Sequence, residues 1–82
     1  MADEREILYA LLGQYTTLIE YDAGGNPIYV GKAAPGTATS AAAWQIRKIA
    51  YDLSGNPTAV LWAEGSDGFA CVWDGREDYT YS

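Results

Sequence analysis

The 82-residue chain has no histidine and one cysteine, Cys71. Lacking histidine, it lacks the side chain that most often moves protons near neutral pH. With a single thiol it forms no internal disulfide, and a Cys/His zinc cluster or a haem site has no ligands. Basic residues are also scarce. Arg5, Lys32, Arg47, Lys48 and Arg76 stand against eleven acidic residues, for a net charge of −6. Phosphate backbones are repelled by such a balance, so no nucleic-acid partner is expected. No apolar run approaches the roughly 20 residues of a membrane span, so no membrane partner is expected either. The opening "MADEREILYALLG" is acidic where a secretory signal is basic and its apolar run is short, which predicts synthesis in the cytoplasm. The glycines of "GNP" and "GKAAPG" fit neither a phosphate-binding loop nor a dinucleotide fingerprint. We therefore assign no catalytic residues, no cofactor and no enzymatic activity.

A chain of this length is one small domain that buries only about 60 to 65% of its extended surface. Small domains commonly add a disulfide, a metal or an oligomer to reach stability, and here oligomerisation is the route that is left. Aromatic rings are abundant, with seven Tyr, three Trp and one Phe. They serve either an aromatic core or a surface for a partner.

Asp3 and Glu6 suit the first turn of a helix, Ile7, Leu8, Leu11 and Leu12 fall on one helical face, and Gly13 stands at the cap position. A short helix over 3–12 is predicted, in an N-terminal anchor segment of residues 1–14 that docks its apolar stripe on the sheet or on a neighbour. Residues 15–82 read as a β domain. Two phrases in it, "IEYDAGGNPIYVGKA" (19–33) and "IAYDLSGNPTAVLWA" (49–63), share Ile, Tyr, Asp, Gly, Asn, Pro, Val and Ala at matching places. In each, an Asp (Asp22, Asp52) occupies the first turn position, where its carboxylate accepts a backbone amide two residues on, and a Gly (Gly25, Gly55) occupies the fourth. Both phrases read as hairpins. Pro27 and Pro57, without an amide donor, belong at the first residue of a strand or on a free edge.

The small-residue stretch "GKAAPGTATSAAA" is a loop. Strands are expected from Trp44 to Asp52, Thr58 to Glu64, Phe69 to Asp74 and Tyr79 to Tyr81. The fold class is thus mainly β: a small antiparallel up-and-down sheet of five to six strands, sandwich- or barrel-like, with a short N-terminal helix. Apolar residues lie on both faces of the stretch from Thr58 to Asp74: Val60 and Trp62 against Ala59, Leu61 and Ala63, then Phe69, Cys71 and Trp73 against Ala70 and Val72. A half-exposed strand alternates apolar with polar. Cover on both sides is therefore expected, from the chain itself and from a partner, unless the sheet closes into a barrel or small sandwich. The expected interface set is Ile7, Leu8, Leu11, Leu12, Trp44, Trp62, Phe69 and Trp73. Cys71, mid-strand among apolar neighbours, is expected to be buried and inert. Asp67, Asp74, Glu77 and Asp78 read as solvated turn acids rather than metal ligands, with a calcium-stabilised domain as the alternative. A sugar platform built on Trp44, Trp62 or Trp73 is the other alternative.

The "YDxxGN" turns, at Tyr21, Asp22, Gly25, Asn26 and Tyr51, Asp52, Gly55, Asn56, are similar to the YD-repeat modules of bacterial toxin shells, in turn chemistry alone. A longer likeness runs from Ile19 to Ser82. "NPIYVGKA", an alanine- and threonine-rich loop, "WQIRKI" and the closing "VWDGREDYTYS" resemble small virion proteins of tailed bacteriophages. That resemblance implies a structural component of the tail, neck or capsid surface, located in the virion and made in the host cytoplasm. Its partners would be other virion proteins and further copies of itself, as a homo-oligomer.

Overall fold

The computed structural model describes residues 14–82; the helix expected over 3–12 lies outside them. Both repeat phrases form the same hairpin. Asp22 Oδ1 accepts the amides of Gly24 and Asn26 at 2.9 Å, and Asp52 Oδ1 accepts those of Ser54 and Asn56 at 2.9 Å. In the backbone of each turn the Asp amide donates to the Asn carbonyl and the Gly amide to the Asp carbonyl. Gly25 and Gly55 have φ of +84° and +85°, a left-handed backbone that L side chains rarely adopt. A bulge interrupts both ladders at the same place, Glu20/Tyr21 and Ala50/Tyr51.

These turns join β1 (Thr16–Tyr21) to β2 (Pro27–Ala33) and β3 (Ala42–Tyr51) to β4 (Pro57–Trp62). The four strands lie in the order β1-β2-β3-β4, antiparallel throughout, so both turns project from one end of the sheet and the 34–41 loop from the other. Each proline opens its strand, as a residue without an amide donor should. The structure is mainly β, as expected. Among the described strands no ladder joins β1 to β4.

The chain after β4 departs from expectation. Trp62 and Phe69 were to belong to two strands paired with one another. Instead β5 is only Cys71–Val72 and pairs with β3, at Ala42 and Trp44, on the flank that β4 pairs further along. β4 and β5 run in the same direction and together line one flank of the ten-residue β3. Residues 64–70 form a detour between them. It starts at Glu64 and Gly65, with φ of 55° and 67°, and two successive left-handed residues turn the chain outward rather than back along β4. The outer side of Trp62 is taken by Ser82, with reciprocal backbone hydrogen bonds of 2.9 and 3.1 Å. The strand expected over 79–81 reduces to a bridge between Tyr81 and Ala63. "WDGRED", expected as strand end and turn, is a 3-10 helix, Trp73–Asp78.

That helix and the C-terminal residues cover one face of the sheet. Trp44 and Ile46, each 1% exposed, lie with Ala33, Ala63, Tyr29, Cys71 and Trp73 in the core, and Leu18, Tyr79 and Tyr81 pack around them. Trp44 and Trp73 meet at 6.1 Å between ring centroids, and Tyr29 and Tyr81 at 5.6 Å. The polar tips are satisfied: Trp44 Nε1 donates to Ala38 O at 2.9 Å and the Tyr81 hydroxyl to Arg76 O at 2.7 Å. Among the described residues no buried side-chain polar atom lacks a partner. Arg76 reaches across to Glu20 on β1 at 2.7 Å, tying the 3-10 helix to the far edge of the sheet.

Candidate interaction surface

The eight residues expected at an interface separate by location. Trp44 and Trp73 are inside, enclosed by the chain's own atoms. Neither offers a ring face to a sugar or a partner. Trp62 is half-buried on the opposite face, with the Arg47 guanidinium 5.6 Å from its ring centroid. Phe69 is exposed in the 64–70 detour and stacks on Tyr15 at 5.2 Å. Ile7, Leu8, Leu11 and Leu12 lie outside the described residues. Asp22, Gly25, Asp52 and Gly55 build the two turns, as their spacing predicted.

Strand alternation defines the second face of the sheet. Ile19, Val30, Arg47 and Trp62 form one row across the four strands, and Ile49 and Val60 pair in a neighbouring row. The 3-10 helix packs on the other side. Ile19, Tyr21 and Val60 are 44%, 56% and 54% exposed, and Leu53, at the tip of the second turn, is fully exposed. The ribbon from Thr58 to Asp74 is therefore covered by its own chain on one side only. Cys71 and Trp73 are enclosed, while Val60 and Phe69 remain open to solvent. Ile19, Tyr21, Leu53 and Val60 were outside the expected interface set, although Val60 had been placed on one apolar face of the ribbon and Ile19, Tyr21 and Val60 stand at repeated positions of the two phrases.

Charge is distributed unusually over the strands. The flanking strands β1 and β4 hold one charged residue between them, Glu20, which Arg76 neutralises. Lys32, Arg47 and Lys48 are on the inner strands β2 and β3. Natural sheets commonly place charges, lysine above all, on edge strands to discourage pairing with another chain.

Among the described residues, the surroundings shift three ionisable groups, Asp52, Cys71 and Tyr81. Hydrogen bonds from the Asn56 amide first, then from the Asn56 side chain and the Ser54 and Gly55 amides, hold the Asp52 carboxyl below its usual 3.8. Burial, reinforced by Glu64, pushes the Cys71 thiol up, away from the thiolate form that reacts. Burial likewise raises the Tyr81 hydroxyl, which stays protonated. Asp67 lies in the detour and Asp74, Glu77 and Asp78 on the 3-10 helix. Among the described residues no three His, Cys, Asp or Glu side chains converge as a metal site would require. No described helix is long and apolar enough to cross a membrane.

Comparison with protein-family models, with curated proteins and with solved structures finds no match to this chain.

Proposed function

We propose that this chain is a non-enzymatic structural component of a tailed-phage virion, in the tail, the neck or on the capsid surface, and that it acts by binding other virion proteins and further copies of itself. The observation that carries this reading is the sheet's second face, where Ile19, Tyr21 and Val60 are exposed between two flanking strands almost free of charge. Such a surface suits burial against protein. The resemblance of Ile19 to Ser82 to small phage virion proteins supplies the setting. A weak contact repeated around a ring suffices to hold a subunit in a particle. The test is native mass measurement and sedimentation of the purified protein, with immunodetection in purified particles. Assembled species and a particle-borne signal are expected. A strict monomer that is also missing from particles overturns the reading.

A further inference from the structure

We infer that the two flanking strands are complementary halves of one contact, through which copies of this chain join head to tail, β4 of one beside β1 of the next. This rests on the assembly reading above and assigns it a surface, a register and a partner, a second copy of the chain.

The inference comes from the internal repeat, because the protein already contains one instance of the contact. Inside the sheet β2, which leaves the first turn, pairs with β3, which enters the second, and the hydroxyl of Tyr51 donates to the carbonyl of Pro27 at 2.6 Å. That hydrogen bond clamps one hairpin to the next at their shared turn end. Tyr21 and Pro57 are the counterparts of Tyr51 and Pro27 in the other copies of the phrase. Tyr21 is 56% exposed on the outer side of the sheet, and its hydroxyl has no partner among the described residues. Pro57 is exposed, and its carbonyl accepts no side-chain hydrogen bond among them. Each edge thus carries one half of a clamp that the inner pair has completed. A second copy of the chain carries the matching half of each clamp.

Three further features agree. Pro57 does not protect its edge, since Pro27 occupies the same position beside β3 and is compatible with a neighbouring strand. The edges bear no unpaired charge, whereas the inner strands hold three cations, the reverse of the arrangement that keeps edges apart. Length also fits. Ser82 occupies the outer side of β4 at Trp62 and leaves Pro57 to Leu61 open, which accommodates three of the four pairs that the internal β2–β3 ladder uses.

Carrying the internal register, Tyr29↔Lys48 to Gly31↔Ile46, over to the repeat-equivalent residues sets Ala59 opposite Leu18, Val60 opposite Thr17 and Leu61 opposite Thr16, with the Tyr21 hydroxyl on the Pro57 carbonyl. The contact is strand addition in which two different edges meet. Such an interface closes into a ring or extends as a filament, according to the rotation between copies.

The test is sedimentation of the full chain with four variants, each first shown by thermal melting to remain folded. Val60→Glu should weaken association a few-fold by removing an apolar cross-strand contact, and Thr17→Glu/Val60→Glu by more, since it sets like charges directly opposite each other across the contact at exposed sites. The opposite-charge variant Thr17→Lys/Val60→Glu should recover it, because its two new charges attract across the contact. Tyr21→Phe should weaken association about two- to tenfold, the net effect of one hydrogen bond. If the wild type assembles and the Glu variants assemble as tightly as it does, or if the opposite-charge variant fails to recover, the edge contact is wrong while the assembly reading stands. A wild type that stays monomeric yet is present in particles overturns self-association through the edges alone. Absence from particles as well removes both.

Discussion

Gly31 is the tightest point of the core. A Cβ built there would come 2.5 and 2.7 Å from two atoms of the Trp73 ring and 3.3 Å from Trp44. The 3-10 helix lays the Trp73 ring against Gly31 of β2 and against Trp44 of β3, with 6.1 Å between the two ring centroids. Gly31→Ala therefore forces the Trp73 ring off its seat and is expected to destabilise the fold by about 1–3 kcal/mol. Urea unfolding followed by tryptophan fluorescence measures it, and an unchanged midpoint would show that Trp73 does not pack there as described. The repeat makes the same point by contrast. Position 61, the counterpart of Gly31, is Leu61, which is half-buried.

At the scale of the element the two hairpins are one solution used twice, and the Asp carboxylate is its keystone. The depressed pKa of Asp52 means that the folded turn favours the ionised form. Its contribution to stability is present above the unfolded value of 3.8 and is lost as pH falls through the still lower folded value. In a pH series of chemical unfolding, the advantage of the wild type over Asp52→Asn should be greatest at neutral pH and shrink as the acid is titrated. A constant difference would assign the turn's stability to shape rather than charge. The turns were legible because their chemistry is local: carboxylate, amides and left-handed glycine all lie within five residues. The end of β4 was not. Which chain pairs with Trp62 is settled by Ser82, twenty residues on, and no local pattern distinguishes that from a hairpin partner.

For the whole molecule, Arg76 does more than pair with Glu20. Its guanidinium lies 4.6 Å from the Trp73 ring centroid, donates to Trp73 O at 3.1 Å and bridges to β1, while its own carbonyl accepts the Tyr81 hydroxyl. The ion pair is only partly buried, with side chains 23% and 31% exposed, so the charge contribution alone is small. Glu20→Gln is expected to lower stability by less than about 1 kcal/mol. Arg76→Ala, which also strips cover from Trp73, should cost about 2 kcal/mol. Denaturant midpoints compare the two, and equal effects would mean that the ion pair, not the packing, holds the 3-10 helix down.

By itself the sequence determined the two Asp–Gly turns, the proline strand starts, the antiparallel β class and the burial of Cys71, since each follows from backbone chemistry or from apolar neighbours close along the chain. Tertiary structure alone decided which apolar face is inside. Residues from Thr58 to Asp74 are apolar on both sides, so alternation cannot say which side the 3-10 helix will cover. That choice sends Trp44 and Trp73 to the core, leaves Ile19 and Val60 at the surface, and sets Tyr21 on an edge. The physical reason is range: a turn is closed by atoms a few residues apart, whereas a face is buried by whatever part of the chain returns to it.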